Sequence, residues 1–200
     1  ADSYEMFLFF RFCEALVIPA ILTALMSILA NIDKVNIKFN MSIYVASTVF
    51  GGLVGRIFSG FIATKFSYEF VFYSLSAALL LSLFLIRKLD YEGDATIVKP
   101  KLDDILIILK DRRFVLIYFI MFCMFFVFAG VLNVLPFRVK QISESFSEFQ
   151  ISLLYLGYGM GILVSLGSKK IIDFFKNEIN TIIVAISFFL FIAIFLTNQD

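Results

Sequence analysis

The chain contains no histidine, no tryptophan, two cysteines and three prolines in 200 residues. Without histidine the usual neutral-pH proton carrier is missing, so any proton chemistry falls to a carboxylate. Cys13 and Cys123 both sit inside apolar runs. Two thiols with no imidazole make neither a disulfide framework nor a metal site, and both read as small packing residues. Charge is scarce as well: charged residues make up 16% of the chain, against about 25% in an ordinary soluble domain. Its balance, 17 basic to 16 acidic residues, leaves a net charge of +1 and no polybasic signal for nucleic acid. No phosphate loop, nucleotide fingerprint or hydrolase elbow is present, so neither an enzyme nor a cofactor is expected. GYGMG at 157–161 lies inside an apolar run and resembles a glycine-rich phosphate motif only superficially.

Apolar side chains fill the space these absences leave. They make up 61% of the chain, with 27 Phe and a mean hydropathy of +0.96. A water-soluble fold of this size would have too little polar surface to cover them. Disordered chains, for their part, are poor in aromatics and rich in charge. The sequence is that of an all-α membrane protein. Barrel strands would alternate over about ten residues, whereas these runs are apolar on every face.

Charges punctuate the runs. Uncharged stretches cover 15–32, 39–55, 70–86, 114–137, 149–168 and 179–199, each near the ~20 residues a helix needs to cross hydrocarbon. Extending the first back through Arg11 and Glu14, and the second forward through Arg56, predicts six transmembrane helices. They span 5–30, 41–65, 69–86, 114–137, 149–168 and 179–198, in a three-plus-three arrangement. Residues 1–86 form the first group, 87–113 a cytoplasmic linker, and 114–200 the second group. In the linker, Asp103 or Asp104 is placed to cap a short amphipathic helix, as an interfacial segment or simply as part of a tether.

Orientation follows from the loops. Lys34, Lys38, Arg87, Lys88, Lys99, Lys101, Lys110, Arg112, Arg113, Lys169, Lys170 and Lys176 fall on one side, and only Lys65, Arg138 and Lys140 on the other. The positive-inside rule makes the first side cytoplasmic and turns both Ala1 and Asp200 outward. The chain opens without Met and without a basic region before a short apolar one, so it reads as starting with neither a signal peptide nor a natural start.

Arg11, Glu14 and Arg56 remain inside the bilayer, where a charge costs several kcal/mol and marks function by default. Arg11 and Glu14 share a helix face, and Arg56 falls at comparable depth on the next helix. The expectation is an Arg–Glu–Arg cluster with Glu14 as the proton carrier; a static pair joining two helices is the alternative. Small residues form a second pattern: Gly51, Gly55 and Ser59 on helix two, Gly157, Gly161 and Ser165 on helix five. Such stripes let helices approach closely, in a sliding contact between halves or a fixed one. On helix four, Tyr118 and Asn133 are candidate substrate contacts. The Phe and Met around them suit either a hydrophobic ligand or lipid.

These residues resemble the major facilitator superfamily of secondary transporters. FFRFCEALVIPA looks like the start of its fourth helix, with Arg11 matching the motif, Glu14 in place of Gln and Ala15 in place of Gly. MSIYVASTVFGGLVGRIFSG resembles the fifth-helix motif of antiporters; Gly51, Gly55 and Gly60 fit, and Arg56 stands at the usual Pro. The GGxxGRxxxG form is similar to that of drug- and arabinose-efflux-like permeases. SYEFVF takes the place of the entry to helix six, and GSKKIIDFFKNE, with Asp173, faintly echoes the family's basic loop motif. The resemblance covers the whole chain and maps it onto helices four to nine of twelve, a fragment of a larger bundle. It implies a multi-pass inner-membrane carrier, a monomer at full length. Such a carrier would use protons to drive small organic compounds or sugars outward by alternating access. A proton-coupled importer and a non-transporting scaffold subunit remain the alternatives.

Overall fold

The computed structural model describes residues 3–91 and 102–197. Among them all regular structure is helical: α1 Tyr4–Ile32, α2 Ile37–Lys65, α3 Tyr68–Ile86, α4 Leu102–Lys110, α5 Arg112–Ile142, α6 Glu148–Leu153, α7 Tyr158–Leu166, α8 Ser168–Phe174 and α9 Glu178–Thr197. Among the described residues six stretches are long and apolar enough to cross a bilayer, namely α1, α2, α3, α5, Glu148–Leu166 and Glu178–Phe195. The molecule is an all-α membrane bundle.

The helix ends sit where the polar punctuation falls. Ser3 accepts a hydrogen bond from the Met6 N–H and Asp111 from the Arg113 N–H, each satisfying a donor the first turn leaves open. Ser147 and Gln150 close a reciprocal capping box at the start of α6. Between α1 and α2, Asp33 accepts from the backbone N–H groups of Val35 and Asn36 and from the Asn36 amide. That Asx turn reverses the chain in four residues. Within the spans, hydroxyls bond back to their own helix: Ser42 to Lys38, Thr64 to Gly60, Ser82 to Ala78. Hydrocarbon offers no other partner to these groups.

Three boundaries differ from the sequence expectation. α5 continues past Pro136 to Ile142, because a proline near the end of a helix removes one bond without ending it. Asp103 and Asp104 lie within the first turn of α4 rather than ahead of it. The fifth span is not one α-helix: a 3-10 turn at Leu154–Gly157 separates α6 from α7, and Gly167 separates α7 from α8. Glycine in a helix interior carries the largest backbone-entropy cost, which makes this run the easiest place to tighten. Residues 92–101, in the middle of the expected linker, and the ends Ala1 and Asp200 lie outside the described residues.

Two compact units divide the chain, one taking residues up to Arg56 together with those from Tyr155, the other taking Ile57–Leu154. In the first, the Ser42 hydroxyl bonds the Ser168 hydroxyl at 2.9 Å, and Ser165 donates to the Ser42 carbonyl at 2.8 Å. Ala46 and Leu53 of the same unit are buried, and Lys38 pairs with Glu178 at 3.3 Å. In the second unit Ile62, Val71, Ile151 and Ser152 are buried. Thr64 accepts from the Phe149 N–H, Phe61 meets Phe149 edge to face, and Lys140 pairs with Glu148 at 2.6 Å. Closest approach comes at Gly60, where a Cβ would lie 2.6 Å from Ser152 Oγ and 2.8 Å from the Glu148 carbonyl.

Gly60 and Gly51 should therefore respond to alanine in opposite directions. Gly60→Ala forces α6 away and should lower stability by about 1–3 kcal/mol. Gly51→Ala, with nothing within 4 Å of the new carbon, should raise it by about 0.5–1 kcal/mol. Melting midpoints of the purified protein check both signs. At the Asx turn, the Asn36 amide and backbone hold the Asp33 carboxyl below its ordinary value. A lowered folded-state value means this stabilisation is complete above the ordinary carboxylate range and is lost as the pH falls through the lowered one. Asp33→Asn should flatten the acid limb of the midpoint-against-pH curve.

Candidate functional site

Ionisable groups inside the spans are the place to look for function, because a charge in hydrocarbon survives only with compensation. Arg11 and Glu14 lie on α1, one turn apart, and the Arg11 guanidinium donates to the Glu14 carboxylate at 2.5 Å. Helical spacing of three residues brings both side chains to one face. The pair stands open, at 62% and 49% side-chain exposure, so among the described residues it is compensated by itself and not by burial. Glu14 is about 15 Å along α1 from Tyr4 at 1.5 Å per residue. Every other described carboxylate lies in a loop, in α4, or within about a turn of a helix end.

Arg56 does not join them. Its Nη1 donates to the Gly52 carbonyl at 3.1 Å, and its Cζ lies 4.9 Å from the Tyr155 ring centre and 5.3 Å from that of Tyr158. The expected Arg–Glu–Arg cluster is thus two separate features, an ion pair on α1 and a ring-flanked guanidinium on α2. The register of α2 explains the difference. Ser42, Ala46, Val49, Leu53, Arg56 and Gly60 repeat at alternating steps of four and three, which lines them along one stripe. Within the first unit, Ser42 meets Ser165 and Ser168, Val49 lies 3.6 Å from where a Gly161 Cβ would be, and Arg56 meets Tyr155 and Tyr158. Arg56 is carried on this packed stripe, toward the 3-10 turn rather than toward Glu14.

Of the six small residues singled out, Gly161 and Ser165 lie at this contact, whereas a Cβ at Gly51, Gly55 or Gly157 would meet nothing within 4 Å. Ser59 is half-buried on the same turn of α2 as Arg56. Tyr118 and Asn133 are both exposed on α5, about 22 Å apart along the helix at 1.5 Å per residue. Tyr118 stacks on Phe114, and the structure does not bring it to Asn133. Among the described residues no group of three His, Cys, Asp or Glu side chains is placed to hold a metal ion.

A family model described as Major Facilitator Superfamily matches residues 1–199. The chain belongs to the major facilitator superfamily. No curated protein and no solved structure matches it. As a major facilitator protein it is a multi-pass secondary transporter that acts on a small-molecule substrate within a lipid bilayer. Tyr155 and Tyr158, the ring partners of Arg56, were not singled out from the sequence. The three-and-four spacing on α2 marks the face that carries Arg56, but no local signal names its ring partners.

Each ring contact with a guanidinium is worth about 0.5–2 kcal/mol. Tyr155→Leu and Tyr158→Leu should each lower the stability of this major facilitator protein by that amount, and the Phe variants by much less. A double-mutant cycle with Arg56→Met, read from melting midpoints, should return a coupling energy for the Leu variants.

Proposed function

We propose that this chain is the middle portion, helices four to nine of twelve, of a proton-coupled exporter of small organic compounds in the inner membrane. The observation that carries the proposal is the Arg11–Glu14 pair. Glu14 is a carboxylate set deep in a span, with no histidine anywhere in the chain to take its place. A carboxylate that binds a proton loses its hold on the arginine beside it. Proton binding at Glu14 would therefore free the Arg11 guanidinium, and the mobile pair is a two-state element that a proton gradient can bias. In this reading Arg11 tunes Glu14, and residues 87–113 tether two groups of three helices that rock against each other in alternating access. Loop charge supports an orientation with the tether in the cytoplasm. The drug- and arabinose-efflux-like form of the α2 motif supports export as the direction.

Reconstitution of the full-length protein tests the reading. Wild-type flux of a panel of small organic compounds should accelerate under an imposed pH gradient. Glu14→Gln should keep downhill exchange and lose about tenfold or more of the gradient-driven rate, the usual scale for removing a proton-transfer group. Unchanged pH dependence in Glu14→Gln would overturn the assignment of Glu14.

A further inference from the structure

Arg56 is a permanent cation that the proton mechanism leaves unused. Among the described residues no carboxylate lies within ion-pair distance of it. Lys65, at the end of α2, lies nine residues away, about 13 Å along the helix and too deep for ready contact with bulk water. The two tyrosines, with ring centres 6.4 Å apart, meet it from adjacent sides, and a guanidinium donates through five N–H groups in one plane. One nitrogen is spent on the Gly52 carbonyl. Arg56 is half-buried, and no buried polar side-chain atom among the described residues lacks a partner, so its remaining nitrogens are accessible rather than sealed in. A planar donor fork with two aromatic rings beside it and nitrogens still accessible matches the geometry of a carboxylate or phosphate oxyanion.

We propose that Arg56, with Tyr155 and Tyr158, forms an oxyanion-binding site, and that the transported substrate is a small organic anion carrying a carboxylate or phosphate group. The proposal rests on the reading of the chain as part of a secondary transporter, and it names the substrate class. Arg11 does not compete for this role, because Glu14 already occupies it. The Gly52 hydrogen bond and the two ring contacts restrain the guanidinium before the ligand arrives, so less side-chain entropy remains to be lost on binding. The rings also offer apolar surface to the body of the anion. A lysine at position 56 would keep the charge and lose the fork.

The experiment is direct binding to the full-length protein in phosphatidylcholine nanodiscs. Benzoate and phenyl phosphate are titrated calorimetrically beside neutral benzamide, which has nearly the shape of benzoate. At least one of the two anions should bind about tenfold or more tightly than benzamide, as expected for a charge-assisted bidentate contact. Arg56→Gln should remove that preference, Arg56→Lys should retain part of it, and Tyr158→Phe, which keeps the ring, should retain most. The Lys and Phe variants keep the test meaningful if the Gln variant misfolds. Anions that bind no better than benzamide, or a preference that survives in a folded Arg56→Gln protein, would overturn the proposal. So would loss of anion binding when phosphatidylglycerol is added to the discs, since a lipid headgroup would then be the occupant. Binding is read here without transport. Its failure would leave gradient-driven flux of neutral compounds standing, and failure of proton coupling would leave the binding result standing.

Discussion

A backbone N–H or C=O group in hydrocarbon has no water to bond, and leaving one unpaired costs several kcal/mol. The rest of the structure depends on that constraint. It makes every described regular element a helix, sends serine and threonine hydroxyls back to carbonyls of their own turn, and confines loops to the places where charge accumulates. It also limits where a helix can be interrupted. The 3-10 turn at Leu154–Gly157 still pairs its backbone internally, through shorter-range bonds, so the span can change geometry without exposing an unpaired group.

With the backbone satisfied, side chains carry the variation. Apolar burial gives little specificity among helices in lipid, since the tails are as apolar as leucine. Several of the described contacts between helices are accordingly small or polar: Gly60 against Ser152, Ser42 against Ser168 and Ser165, Thr64 against the start of α6. Arg56 sits on the same stripe of α2 as these residues, with two rings beside it. Arg11 and Glu14 sit apart, as a self-contained pair. The proposed mechanism divides the work between the two places. A carboxylate that meets protons lies on α1, and a fixed cation that meets an anionic substrate lies on α2.

Much of the fold was legible because charge and apolar length are local signals. Lys34 and Lys38, Arg87 and Lys88, and Lys176 and Glu178 each mark a turn between helices, and the helix limits fall within a few residues of them. The Arg11–Glu14 pair was legible for the same reason, being three residues apart on one helix. What stayed hidden is non-local. Nothing near Arg56 in the sequence names Tyr155 or Tyr158, about a hundred residues on, and depth alone suggested Glu14 as its neighbour. On α2 the small residues Gly51 and Gly55 lie about half a turn from the packed face. Gly51 and Gly55 share a face, but the packed face of α2 is that of Ser42, Val49, Leu53 and Gly60, since a stripe of small residues permits close approach without dictating it. The break at Leu154–Gly157 was visible only as glycines inside an apolar run, a signal shared by unbroken packing helices.

Glu14 is proposed to take up and release a proton inside the membrane. Infrared difference spectra of the full-length protein in bilayers, recorded while the pH is cycled, test this most directly. With Glu14 in that role, a protonated-carboxyl band should appear on acidification, vanish on return, and be missing in Glu14→Gln. Identical spectra for the wild type and Glu14→Gln would contradict it.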